Sequence, residues 1–222
     1  MLRGIDISSG QGDINLNPLP IDFVIVKATE GIGYVNPYCD TKVTQAKNLG
    51  LLWGFYHFAA GASAQQEAAY FINNCSNYFG EGIPVLDWEG DQSVAWVNEF
   101  VSTVYEQTGV WPWIYANPWR FNQGGVNQNC GRWIASYPDV IHPTLDYDPG
   151  EPPSTDGLVC CWQYASDGRV PGYDGDLDVN HFFGSAGAWA AYAHVPSSGL
   201  PSETADQSVL ENDKFRVTIE EK

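Results

Sequence analysis

IPVLDWE, residues 83–89, joins an apolar run to a pair of acids. Residues Ile83 to Leu86 carry no polar side chain, which is typical of a strand buried on both faces in a parallel sheet. Strand side chains alternate in direction, so Asp87 and Glu89 are expected to project the same way. The stretch therefore predicts a buried strand that presents two carboxyl groups at its carboxyl end.

Segments of the same apolar, β-rich kind recur along the chain and give eight predicted strands. They cover residues 3–8, 23–29, 51–58, 83–89, 112–116, 132–137, 159–164 and 177–182. The predicted fold class is α/β, an irregular (β/α) barrel of eight mainly parallel strands with fewer helices in the second half. A doubly wound open sheet is the alternative. It is weakened because no Gly-rich phosphate loop follows the first strand.

Helix boundaries are predicted from capping residues. The signals are Asn36-Pro37 and Gly50 for one helix, the capping box Ser63 with Gln66 for a second, and Asp91 and Gly109 for a third. Residues 117–129 and 141–157 are predicted as loops because they are polar or rich in Pro and Asp. Residues 186–194 are predicted as a closing helix. Residues 1–195 then form one barrel domain, and 196–222 an acidic linker or C-terminal tail.

The charge balance excludes whole classes of partner. The chain has 27 acidic and 10 basic residues and a formal charge of −17. Such a surface repels phosphate backbones, so nucleic acid is excluded as a partner. No apolar run is long enough to span a membrane, and no signal peptide precedes Asp6. Membrane association is therefore not expected.

Five cysteines with no CxxC pair argue against a zinc site or a dense disulfide framework. Cys160 and Cys161 lie in an apolar run and are predicted to be buried free thiols. A single disulfide among the others stays open. No cofactor is predicted.

Four acids are the candidates for chemistry. Asp6, Asp87, Glu89 and Asp178 fall near strand ends, where the active face of a parallel barrel lies. Two carboxyl groups held close cannot ionise equally easily, so one pKa is expected to rise. Glycoside hydrolysis needs such a protonated acid together with nearby negative charge. The alternatives are solvated surface acids, a capping role for Asp6, a turn role for Asp178, and a shared cation site.

Seven motifs in order make the chain resemble the family 25 glycoside hydrolases, the Chalaropsis-type lysozymes. They are GIDIS (4–8), FVIVKATEG (23–31), GFYHF (54–58), PVLDWE (84–89), WIASY (133–137), WQY (162–164) and DVN (178–180). The resemblance covers roughly residues 2–190. It implies an N-acetylmuramidase that cleaves the β-1,4 bond between N-acetylmuramic acid and N-acetylglucosamine of bacterial peptidoglycan.

The resemblance also implies roles for individual residues. Glu89 matches the general acid/base, and Asp87 matches the acid that orients or stabilises the 2-acetamido group of the substrate. Asp6 and Asp178 match the remaining site acids. Substrate-groove positions are Tyr56, Tyr115, Trp133, Tyr137 and Gln163. Retention through the acetamido oxygen is favoured because Asp87 and Glu89 share one strand. Direct attack by Asp87 and an inverting water attack stay open.

Two other functions compete with the muramidase. A chitinase-like hydrolase also uses paired acids, but its longer Asp-rich strand motif is missing around residues 83–89. A sugar-binding module without catalysis is disfavoured because all four acids are present. The missing leader and the terminal linker favour a phage-encoded enzyme that is released by lysis and acts extracellularly on the wall. A further wall-binding or assembly module after residue 196 is one interpretation of the tail.

Overall fold

The computed structural model describes residues 1–194, so the predicted tail from residue 196 lies outside the described residues. The strands are β1 (Leu2–Ile7), β2 (Phe23–Glu30), β3 (Tyr34–Val35), β4 (Leu52–Phe58), β5 (Ile83–Asp87), β6 (Trp113–Ala116), β7 (Arg132–Ala135), β8 (Val159–Gly168) and β9 (Leu177–Phe182). The α-helices are α1 (Cys39–Leu49), α2 (Ala64–Cys75), α3 (Val94–Thr108), α4 (Pro118–Phe121) and α5 (Ala186–Ala193).

The strands close into the predicted barrel. Their order is β1-β9-β8-β7-β6-β5-β4-β2, and β1 pairs with β2 to complete the ring. The short β3 adds an antiparallel edge to β2. Six pairs of adjacent barrel strands are parallel, whereas β9 runs antiparallel to both of its neighbours, β1 and β8. The α/β barrel of eight mainly parallel strands is confirmed, and the helices are indeed fewer after β6.

Three of the predicted helix signals are confirmed. Ser63 caps α2 as predicted, because its side chain accepts a hydrogen bond from the Gln66 backbone N–H. The reciprocal half of the predicted capping box is not formed, since the Gln66 side chain accepts from the Ser63 hydroxyl and not from the Ser63 backbone N–H. Gly50 and Gly109 end α1 and α3 in the left-handed conformation, with φ of 70° and 76°. Glycine has no Cβ to oppose that conformation, which makes it the usual residue after a helix. The closing helix is also present as α5.

Two predicted helix starts are wrong. Helix α1 begins at Cys39, and the Asn36 side chain instead accepts a hydrogen bond from the Tyr38 N–H in the preceding turn. Helix α3 is capped by Ser93, not Asp91, because the Ser93 side chain accepts from the Trp96 N–H. A cap must stand immediately before the first helical turn, and the consecutive polar residues 91–93 leave the cap of α3 undetermined by sequence. Helix α1 instead begins after Tyr38, whose side chain forms no capping hydrogen bond, so no capping signal marks its start.

Helix α5 seals the amino-terminal end of the barrel. The Trp189 ring packs against Phe23, Phe182 and Trp113, with centroid distances of 4.8, 5.1 and 5.4 Å. Its indole N–H donates to the backbone carbonyl of Trp53 at 3.2 Å. These partners lie at the amino ends of β2, β4 and β6 and at the carboxyl end of the antiparallel β9. The opposite end of the barrel is left for a site.

All five cysteines are buried and free. The prediction of buried thiols at Cys160 and Cys161 is confirmed, and the open alternative of a disulfide among the others is excluded. Among residues 1–194, no helix is both long and apolar enough to cross a membrane.

Candidate active site

The four predicted acids meet at the carboxyl end of the parallel strands. Asp6 lies near the end of β1, and Asp87 is the last residue of β5. Asp178 is the second residue of β9 and pairs directly with Asp6, so the antiparallel direction of β9 brings its beginning to this rim. Glu89 follows β5 by two residues. The four line one cavity of about 200 Å³.

The five predicted groove residues line the same cavity, but their exposure differs. Tyr56, Tyr115, Trp133 and Gln163 are buried, whereas the Tyr137 ring is 52% exposed. A buried ring has no free face for a sugar. Of these five side chains, Tyr137 is therefore the one with an open stacking surface, and the other four line the cavity as buried side chains. Their roles stay predictions.

A hydrogen-bond network holds Asp6 from one side. The Gln163 and Asn180 side-chain amides both donate to Asp6 Oδ2, at 2.8 and 2.7 Å. The Gln163 amide is oriented in turn, because its Oε1 accepts from the hydroxyls of Tyr115 at 2.7 Å and Tyr137 at 2.5 Å. Hydrogen bonds to a carboxylate favour its ionised form. The network therefore favours negative charge on Asp6.

Asn180 is a site residue that the sequence reasoning did not single out. Its Oδ1 accepts from the Trp133 indole N–H at 2.8 Å, which turns its amide group toward Asp6. The signal was available, because Asn180 stands two residues after Asp178 on one strand and period-two alternation places both on one face. Trp133 therefore orients Asn180, a role that differs from its predicted role in the substrate groove.

Asp6, Asp87 and Asp178 have raised pKa values with identifiable causes. Burial is the largest cause for each, and it raises the pKa of Asp6 to about 6 although its amide donors oppose the shift. Burial and the charges of Asp6 and Glu89 raise the pKa of Asp178 to about 8. The pKa of Asp87 also lies well above its usual range, through burial and then the Glu89 charge.

Asp87 also has an unsatisfied atom. Its Oδ1 is buried and has no hydrogen-bond partner among the described residues. A buried carboxyl oxygen without a partner costs free energy, so it is normally satisfied by some ligand group. Asp87 Oδ1 thus keeps an unused acceptor position beside the cavity that Asp87 lines.

A second buried network supports the neighbouring loop. His57 Nε2 lies 2.9 Å from Glu67 Oε2, and His57 Nδ1 lies 2.8 Å from Thr29 Oγ1. Glu67 also accepts from the backbone N–H groups of Ala60 and Ala62. The carboxylate therefore ties the β4–α2 loop to α2, beside the acidic strand. Sequence reasoning missed Glu67 because the pairing is visible only in three dimensions.

Asp178→Asn is expected to gain thermal stability over the wild type as pH rises. The pKa of Asp178 is raised from 3.8 to about 8 in the fold, so its stabilising contribution is present at low pH and is lost as pH rises through that value. Asparagine does not titrate and keeps a donor for Asp6. The difference in Tm, variant minus wild type, should grow by about 3 °C or more between about pH 5 and about pH 9.

Asp174→Asn is the matched control, since it removes one acid from the exposed turn before β9. The assignment of a proton to Asp178 is contradicted if the difference in Tm between Asp178→Asn and the wild type stays constant with pH. It is also contradicted if Asp174→Asn shows the same change with pH.

A barrel sealed at one end, with paired carboxylic acids and tyrosines at the other, is an architecture suited to glycoside hydrolysis. Residues 5–173 match the model of Glycosyl hydrolases family 25, and the chain belongs to that family.

Relatives and solved structures agree with this membership. The chain is 32% identical over 218 residues to Lysozyme M1 of Streptomyces globisporus, covering 87% of this chain and 71% of the relative. It is 29% identical to the N,O-diacetylmuramidase of Chalaropsis sp, covering 80% and 96%. Among solved structures, the bacterial lysozyme from Streptomyces coelicolor superposes with a TM-score of 0.72 at 30% identity, covering 86% of this chain and 96% of that one.

Proposed function

We propose that the protein is a lysozyme, an N-acetylmuramidase that hydrolyses the β-1,4 bond between N-acetylmuramic acid and N-acetylglucosamine in bacterial peptidoglycan. The observation that carries the proposal is the meeting of Asp6, Asp87, Glu89 and Asp178 in one cavity at the open end of the barrel. Family membership and the lysozyme and muramidase relatives support the substrate class.

Glu89 is the proposed general acid and base. Its side chain is exposed at the cavity mouth, where a glycosidic oxygen can reach it. A sugar seated over Glu89 displaces water from its carboxyl group, and loss of water disfavours the charged form. Binding of the substrate thus favours the protonated acid that the departing oxygen needs.

Asp87 is the proposed partner of the 2-acetamido group. Its raised pKa disfavours the carboxylate form that direct nucleophilic attack requires. Its unpartnered Oδ1 is suited to a hydrogen bond with the acetamido N–H once that group becomes positively polarised. These two features support retention with the acetamido oxygen as internal nucleophile over direct attack by Asp87 and over inverting attack by water.

Asp6 and Asp178 are proposed to act together beneath the sugar. Asp178, with the higher pKa, keeps the proton of the pair, and Asp6 keeps negative charge on its amide-held carboxylate. A fixed negative charge in a site that excludes water stabilises an oxocarbenium-like centre.

Mass spectrometry of digested peptidoglycan tests the proposed bond. Cleavage as proposed leaves N-acetylmuramic acid at every new reducing end, because the enzyme acts on the muramyl side of the linkage. Chitin oligomers serve as the control substrate and are expected to be turned over at least about tenfold more slowly, since they lack the lactyl ether. New ends that carry N-acetylglucosamine, or equal turnover of chitin, contradict the proposal.

The proposed place of action is the bacterial wall, outside the membrane, with release by cell lysis as the proposed route. Lysozyme relatives support the wall as the target. A wall-binding or assembly module after residue 196 stays a proposal, since that part of the chain lies outside the described residues.

A further inference from the structure

A second cavity, of about 280 Å³, adjoins the first. Both cavities are lined by Glu89, Tyr115 and Tyr137, so they form one continuous surface around the proposed acid. The second is also lined by Trp88 and Arg120. Among residues 1–194, Arg120 is the one lysine or arginine that lines either cavity. The second cavity therefore carries one cation in its lining, next to the group of acids in the first.

The Arg120 guanidinium is held in place without an acidic partner. Its Nη2 donates to the backbone carbonyl of Glu89 at 2.7 Å, and its central carbon lies 5.0 Å from the Trp88 ring centroid. No carboxylate of the described residues forms a salt bridge with it. The side chain is only partly exposed.

An arginine with no carboxylate partner is notable in this chain, which carries 27 acids and 10 bases. One backbone carbonyl occupies one of the five N–H donors of the guanidinium, and the Trp88 ring covers part of its surface. The remaining donors can bind an anion in the bidentate geometry that suits a planar carboxylate. Pre-ordering by Trp88 and the Glu89 carbonyl lowers the entropy cost of that contact.

We propose that Arg120 binds a carboxylate of the peptide stem borne by the N-acetylmuramic acid next to the cleaved bond. The inference rests on the proposed function and adds a determinant of substrate preference to it. The guanidinium contacts the backbone of the proposed acid itself, so its ligand must lie beside the reacting bond. Every peptide-bearing muramic acid offers a carboxylate there, whereas phosphate-bearing wall polymers are attached to only some of these sugars.

The cation also serves the approach of the substrate. The formal charge of −17 repels an anionic wall fragment over the whole surface. A local positive charge in the lining of the second cavity offsets that repulsion beside the proposed acid.

Steady-state kinetics of Arg120→Gln on two substrates test the proposal. Glutamine keeps a donor for the Glu89 carbonyl and removes the charge. The substrates are glycan strands freed of phosphate polymers, either with their peptide stems or after enzymatic removal of the stems, with the lactyl carboxylates that this removal exposes converted to amides. We expect kcat/KM on stem-bearing strands to fall about tenfold more than on stem-free strands, mainly through KM, as one charge-assisted contact is lost.

The matched control is Arg3→Gln. It removes the same charge at the amino end of β1, opposite the site, where Arg3 pairs with Asp146. It should leave the ratio of the two substrates unchanged. Amidation of the stem carboxylates should lower wild-type kcat/KM by about the same factor as Arg120→Gln, and the variant should not respond to it.

Three results overturn the inference. One is an equal loss on both substrates, which assigns Arg120 to positioning Glu89. Another is an Arg120→Gln variant that keeps the wild-type preference for stem-bearing over stem-free strands. The last is a loss of kcat/KM in Arg120→Gln that appears only on a third substrate, strands that retain their phosphate polymers, which assigns the contact to phosphate. Failure of the proposed function is distinct, because the wild type would then release no reducing ends from either substrate.

Discussion

Glu89→Gln is expected to lower kcat on peptidoglycan about 1000-fold while KM changes little. Glutamine has nearly the same shape and still lines the cavity, but it cannot deliver a proton to the departing oxygen. The release of reducing ends measures kcat, and binding of wall fragments measures whether the groove is intact. The loss should appear in the chemical step alone.

Glu81→Gln is the matched control for this prediction. Glu81 precedes β5 and Glu89 follows it, so the two glutamates stand at opposite ends of the same strand. Glu81 pairs with Lys47 on the surface and lies outside both cavities. The control should retain wild-type turnover. Lysis by Glu89→Gln at the wild-type rate shows that another group supplies the proton.

Asp87→Asn is expected to lower kcat about 100-fold without loss of thermal stability. The kinetic loss follows because asparagine can still accept the acetamido N–H through its amide oxygen but cannot ionise to a carboxylate when positive charge develops on the acetamido group. The stability is retained because the raised pKa of Asp87 shows that the buried site disfavours a charge there, and asparagine carries none. Kinetics and a thermal melt near neutral pH measure the two effects.

The same variant helps to separate the two retaining routes. Under direct attack, Asp87 forms a covalent glycosyl ester, which rapid quenching and intact-protein mass spectrometry would detect in the wild type. Under acetamido participation no adduct forms, and a stable cyclic analogue of the oxazolinium ring should inhibit the wild type more strongly than Asp87→Asn. A trapped adduct at Asp87 contradicts the assignment made above.

Much of the barrel could be predicted because the strand signal is local. Continuous apolar runs such as 83–86 are needed when both faces of a strand are buried, so burial leaves a direct trace in the sequence. Chain order also carried the seven motifs that indicated the family. The direction of β9 left no such trace, because the apolar pattern of a strand is the same when it is read in either direction.

The residues that support the site were less predictable. Asn180, Glu67 and Arg120 act through partners 174, 10 and 31 residues away in the chain. For Asn180, Glu67 and Arg120, a contact between groups in space, rather than a local pattern, selected the residue. Helix starts were also placed wrongly at Asn36 and Asp91: polar neighbours compete for the cap of α3, and α1 begins after Tyr38 without a side-chain capping hydrogen bond.

The amino-acid order by itself determined the barrel class, the family and the four acids at the strand ends, because burial and strand alternation act over a few neighbouring residues. Only the folded molecule decided which acids keep a proton and which residues hold them. Burial and mutual repulsion raise the pKa values of Asp87 and Asp178, while two amide donors favour charge on Asp6. Those effects depend on distances and water exclusion, which arise when the strands close.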